Sequence, residues 1–196
     1  MNKITKVLFI ILLLSINFQN AQAVLKTTDT PLEIILIGHP TLLLQAEELN
    51  ELEVQDEKFQ TFIDDMMITM KKAGGVGLAG PQVNISKRIF VIKPSSFKKA
   101  EVFINPVVEY IDEKGKKMST EGCLSIPGKQ FKVERYKEIN IRYENRFGKV
   151  ISEKAKGFRA IVIQHEYDHL NGVLISDIFY QSLDLKDYFG KLAPRM

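Results

Sequence analysis

A chain of 196 residues, 45% hydrophobic and without low-complexity tracts, suits one globular domain with a full core. Its net charge of +3, with lysines interleaved among acids, gives no case for a nucleic-acid footprint or a polybasic membrane patch, so no nucleic-acid partner is expected. A single cysteine excludes an internal disulfide and leaves Cys123 as a buried apolar residue, a reactive thiol or a metal ligand.

Residues 1–23 read as a segment apart from the fold. Lys3 and Lys6 precede an apolar run from Val7 to Ile16, and Ala21-Gln22-Ala23 is a small-residue cleavage pattern. The run is too short for the roughly 20 residues of a spanning helix, so a cleaved export signal is expected and a membrane tether is the alternative. Membrane contact is expected only through an uncleaved leader. Export to a periplasmic or secreted location follows, with an organelle as the alternative.

The apolar, β-branched run Ile34 to Ile37, closed by Gly38-His39-Pro40, predicts a short strand opening a domain over residues 32–190. From Asp56 to Ala73, Phe59, Phe62, Ile63, Met66, Met67 and Met70 recur at spacings of three and four. That spacing predicts an amphipathic helix with Asp56 as N-cap and Gly74-Gly75 as its stop, its methionines in the core. Strands are predicted at Arg88–Ile92, Glu101–Tyr110, Glu138–Glu144 and Lys149–Lys154, the last two joined by Asn145-Arg146-Phe147-Gly148 as an antiparallel hairpin. Phe158 to Leu170 predicts a second helix, apolar nearly all round and therefore buried, ended by Asn171-Gly172. The fold class is α+β, a single domain with small antiparallel sheets packed around that helix.

Within the buried helix, His165-Glu166-Tyr167-Asp168-His169 is an H-E-x-x-H pattern. Residues i and i+4 share a helix face, so both imidazoles reach one ion while the glutamate stands beside its open position. A catalytic ion usually has three protein ligands and a place for water, so a third ligand is required. No histidine follows His169; Asp177 and Asp184 remain candidates, though they lie in no supporting pattern. Upstream, Glu121-Gly122-Cys123-Leu124-Ser125 sets a glycine before the only cysteine, which makes Cys123 the better third ligand. The segment Gly75-Val76-Gly77-Leu78-Ala79-Gly80-Pro81-Gln82 is glycine-rich but lacks the lysine and hydroxyl residue of a phosphate loop. Its glycines would let a substrate backbone lie alongside.

These three segments, G-V-G-L-A-G-P-Q, E-G-C-L-S and Q-H-E-Y-D-H-L in that order, resemble the motifs of the peptide deformylases, from about Leu32 to Ile178. The resemblance implies a metal-dependent hydrolase that takes the formyl group from the N-terminal methionine of peptides. It implies Cys123, His165 and His169 as ligands, Glu166 as acid and base, and an oxyanion hole from the Gln82 side chain and the Leu124 amide. It also implies one divalent ion, Fe2+ first and Zn2+ or Ni2+ as substitutes. Val76 and Gly77 are expected to pair with the N-formylmethionyl substrate, Glu121 to support a ligand, and Asp168 to orient a histidine ring or sit on the surface. A monomer is expected. Gly80 departs from the pair of adjacent alanines usual in the first motif, and with Pro81 it puts the orientation of Gln82 in question. The competing readings are a zinc endopeptidase, which leaves Cys123 and Gln82 unexplained, and a catalytically weakened binding protein.

Overall fold

The protein is described by a computed structural model covering residues 31–93 and 99–182. The leader at 1–23, and the far end of the expected domain from 183 on, lie outside the described residues. After a short helix α1 (Glu51–Gln55), the methionine stripe forms α2 (Glu57–Lys72). The Asp56 carboxylate accepts the Lys58 and Phe59 amides at 2.8 and 3.2 Å, a cap contributing about 1 kcal/mol. Gly74, at φ +70°, turns the chain out of the helix. Ile63, Met66 and Met70 are buried against Val91 and Ile104, which places the stripe in the core.

Seven strands follow in chain order: β1 (Gly77–Ala79), β2 (Ile89–Ile92), β3 (Glu101–Tyr110), β4 (Lys116–Cys123), β5 (Ile126–Tyr136), β6 (Glu138–Glu144) and β7 (Val150–Lys156). Five of them form an antiparallel sheet in the order β1-β2-β3-β6-β7, and β4 and β5 make a separate hairpin. The strands expected between Arg88 and Lys154 fall within two residues of these bounds. The connection from β6 to β7 turns as expected: the Asn145 side chain accepts the Phe147 and Lys149 amides, and Gly148 takes φ +74°.

Helix α3 (Gly157–Leu170) lies across the sheet, with Ala160, Ile163 and Leu170 packed among Phe90, Phe103 and Ile139. Nine of its residues are buried, so it is the central helix that its apolar composition required. The last helix among the described residues, α4 (Ile175–Ser182), covers β5, where Phe179 meets Phe131 edge-on. No helix among the described residues is long and apolar enough to cross a membrane.

Two elements differ from expectation. Ile34–Ile37 forms no strand: residues 34–36 carry no regular structure and Ile37 begins a turn; the Ile35 amide donates to the Gln82 carbonyl and the Ile37 amide to the Ser125 carbonyl, both at 2.9 Å. Its apolar run has two separate loops as partners instead of a neighbouring strand. The hairpin β4–β5 was not anticipated, because Arg135 sits on its inward face after Phe131 and Val133 and breaks the apolar alternation.

Candidate active site

Cys123 is the last residue of β4, at a register shift between Gly122 and Cys123. Such an irregularity re-aims the side chain that follows it, and Cys123 turns into the interior, 8% exposed. His165 and His169 sit one helical turn apart on α3, 9% and 1% exposed. One donor atom from each of the three residues lies within 4.8 Å of the others, and Cys123 Sγ is 3.3 Å from His169 Nε2. A tetrahedral ion about 2.0–2.3 Å from its ligands would hold them about 3.5 Å apart, so the three donors fit a divalent cation.

His165 Nδ1 is 3.0 Å from Glu121 Oε2, which leaves Nε2 for the cluster. Glu121 in turn accepts both Arg135 Nε at 3.0 Å and Arg135 Nη2 at 3.1 Å, while Arg135 Nη1 donates to Asp168 Oδ2 at 2.5 Å. Glu121 therefore stands between His165 and Arg135, bonded to both. Asp168 does not orient a histidine ring: it binds Arg135, which was missing from the sequence reading. The signal for Arg135 was its place at the inward-facing third position after Phe131 and Val133.

Burial would raise the pKa of Glu121, but the hydrogen bonds from His165 and Arg135 hold it down at about 2. Burial keeps His169 well below the usual imidazole range, the neutral form a cation requires. For His165 burial acts the same way, but its contacts with Cys123 and Glu121 lift it to about 10, so a cation held there would have to displace that proton.

Glu166 is 4% exposed, and its Oε2 has no hydrogen-bond partner among the described residues. Burial pushes it up to about 7, against the pull of the His165 charge. It lies under Gly77, where any Cβ would overlap its carboxylate. Gln82, 1% exposed, is fixed at both ends: its Oε1 accepts the Ala79 amide at 2.8 Å, and its Nε2 points to Ser125 Oγ at 3.3 Å and Cys123 Sγ at 3.6 Å. A Cβ at Gly80 would stand 2.9 Å from the carbonyl oxygens of both Ile85 and Lys87, so glycine admits the following turn and Gln82 stays oriented.

A cleft of about 670 Å³ opens onto these groups. One wall is Gly75-Val76-Gly77, running into β1 at the edge of the large sheet; the other is the end of the β4–β5 hairpin. Phe158, Ile161 and Val162 of α3 supply an apolar floor. Leu124, next to Cys123, reaches across to Gly75, where a Cβ would meet its Cδ1 at 2.8 Å.

A thiol and two imidazoles converging beside a buried carboxylate with a raised pKa, at the foot of a cleft with a free strand edge, define a mononuclear metal-dependent hydrolase of peptide-like substrates. The family model described as polypeptide deformylase matches residues 31–183. A peptide deformylase of Fusobacterium nucleatum subsp. nucleatum is 44% identical over 137 residues, covering 70% of this chain and 77% of that protein. The crystal structure of the Thermotoga maritima peptide deformylase superposes with a TM-score of 0.71 at 39% identity, covering 76% of this chain and 98% of the other. A Met-Ala-Ser-bound class I type b peptide deformylase from Acinetobacter baumannii gives a TM-score of 0.72 at 31% identity, over 77% and 99% of the two chains. This chain belongs to the polypeptide deformylase family.

Proposed function

We propose that this protein hydrolyses the formyl amide of N-formylmethionyl peptides, releasing formate and a free N-terminus. The observation that carries this is the convergence of Cys123, His165, His169, Glu166 and Gln82 at one end of a cleft with an unpaired strand edge. Cys123, His165 and His169 hold one divalent ion. Its resemblance to the family favours Fe2+, with Zn2+ or Ni2+ as substitutes, since a thiolate with two imidazoles suits all three. The ion supplies positive charge that acidifies water and polarises the formyl carbonyl.

The peptide lies along the β1 edge, its backbone pairing with Val76 and Gly77 while the methionine side chain enters the apolar floor near Phe158 and Ile161. Glu166 accepts the proton of the attacking water, whose oxygen bonds to the formyl carbon. The Gln82 amide, held by Ala79 and Ser125, donates to the developing oxyanion together with the backbone N–H of Leu124. The C–N bond breaks, and Glu166 returns the proton to the leaving nitrogen. Met-Ala-Ser bound to the Acinetobacter baumannii relative supports a peptide lying in this cleft.

The chain acts as a monomer, and its leader, with Lys3, Lys6, the run Val7–Ile16 and Ala21-Gln22-Ala23, directs it out of the cytosol. Formylated peptides available there are its substrates. The test is formate release from formyl-Met-Ala-Ser by the protein without residues 1–23, loaded anaerobically with Fe2+ or Ni2+, beside Glu166→Ala. Release that disappears in the variant is expected; no release from the metal-loaded protein would overturn the reading. Fusing residues 1–30 to a reporter tests the location separately.

A further inference from the structure

The two histidines are held in different ways. His165 has Glu121 on its Nδ1, and Glu121 has Arg135. His169 is 1% exposed, yet its Nδ1 has no hydrogen-bond partner among the described residues. A metal-bound imidazole is normally oriented by a hydrogen bond on its other nitrogen. Without one, the placement of the His169 ring depends on the backbone of the last turn of α3.

We propose that Arg88 is the positioning residue for His169, acting through that last turn. Arg88 is 7% exposed, and the hydrogen-bond acceptors around its guanidinium, from Leu170, Asn171 and Pro106, are all neutral. Its Nη1 donates to the Leu170 carbonyl at 3.3 Å and to Asn171 Oδ1 at 3.1 Å, and its Nη2 donates to the Pro106 carbonyl at 3.3 Å. Its guanidinium carbon lies 5.5 Å from the centre of the Tyr167 ring. Asn171, at the C-cap of α3, returns a bond from Nδ2 to the Tyr167 carbonyl at 2.8 Å. One cation thus grips residues 167, 170 and 171, which bracket His169, and anchors them to Pro106 within β3's irregular stretch.

The base of that side chain is itself immobile. The Arg88 amide donates to the Glu47 carbonyl at 2.7 Å, and its carbonyl accepts from the Asn105 amide at 2.8 Å. A buried guanidinium is costly to desolvate without a carboxylate. Here it faces the carbonyl end of α3, where unpaired C=O groups concentrate negative charge, and it satisfies one of them. Its fork, reaching two elements at once, is a geometry lysine does not reproduce.

This inference rests on the reading that His169 binds the ion. Wild type, Arg88→Gln and Arg88→Lys of the full chain are loaded with Co2+, whose visible absorption reports thiolate and imidazole ligation, and then mixed with a chelator. Arg88→Gln is expected to release Co2+ about 10-fold faster than wild type, the scale of losing an outer-shell support. Arg88→Lys, keeping the charge without the fork, should fall between them.

Arg146→Gln serves as the control: it severs bonds to Gln60 and Asp64 of α2, neither of which involves α3's last turn, so it should lower the unfolding midpoint without speeding release. If Arg88→Gln does not fold, Asn171→Ala removes one acceptor of Nη1 and the Tyr167 tie, and is expected to speed release in the same direction. Release at the wild-type rate in Arg88→Gln, or in Asn171→Ala where that variant stands in, would overturn the assignment even if the protein were destabilised. A wild-type chain with no cobalt band would instead overturn the metal reading, and this inference with it.

Discussion

Gly77 and Glu166 are fitted to one another: the glycine sits where a side-chain carbon would overlap the carboxylate, so the absence of a Cβ on β1 is what admits the acid to the cleft. Gly77→Ala should therefore push Glu166 aside while leaving Cys123, His165 and His169 in place. Turnover is expected to fall by about 10²-fold, the cost of misplacing a catalytic group by about 1 Å. Formate release measured beside bound-metal content checks this; loss of metal in parallel would locate the damage elsewhere.

Gly80 gives an opposite expectation to the one its departure from the family pattern suggests. Replacing it by alanine, the residue the family usually carries, brings a Cβ to 2.9 Å from two backbone oxygens, of Ile85 and Lys87. Gly80→Ala is expected to lose about 1–3 kcal/mol of stability, as overpacked sites do, and to gain no activity. Urea unfolding and formate release together check it, and a faster enzyme would contradict the placement of this turn.

Arg135 joins Glu121 of β4 to Asp168 of α3 in a nearly dry setting. Arg135→Met strands two carboxylates and should cost about 3–5 kcal/mol, measured by chemical unfolding. A loss under about 1 kcal/mol, the worth of an exposed pair, would show the network to be solvated.

Acid should act on the same network. The folded protein holds Glu121 at about 2, below its ordinary 4.5. Its contribution to stability is therefore complete above pH 4.5 and declines as the pH falls toward 2. Glu121→Gln should be less stable than wild type at neutral pH and should show a flatter stability profile across that window. Parallel profiles for the two proteins would contradict the assignment.

Removing the ion should loosen the protein as a whole, because the three donors come from a strand of the hairpin and from α3. With free ion at about 100 times its dissociation constant, bound metal adds about 2.7 kcal/mol to stability. A chelator should lower the unfolding midpoint accordingly, and Cys123→Ser should remove the difference.

Much of this was legible in the residues. H-E-x-x-H on a nearly all-apolar helix required its histidines to be buried, and the β-branched and aromatic content of β3 and β6, set off by Gly, Asn and Asp, marked their bounds. What stayed hidden has a common cause. Arg135 looked like one more cation in a basic stretch, since its partners lie 14 and 33 residues away. Arg88 opened a predicted strand, but its work is done on a helix end 82 residues on. Ile34–Ile37 carried the apolar content of a strand, while its backbone bonds go to two loops. Local pattern reports periodicity; it does not report which distant carbonyl or carboxylate a side chain will meet.

The two walls of the cleft belong to different sheets, β1 to one and the β4–β5 hairpin to the other, with no ladder between them among the described residues. What spans the gap at the backbone is the stretch Ile35–Ile37, with one amide on the Gln82 side and one on the Ser125 side. The jaws of the cleft are thus gauged by a crosspiece near the beginning of the domain, so residues 35–37 set the bite of the enzyme.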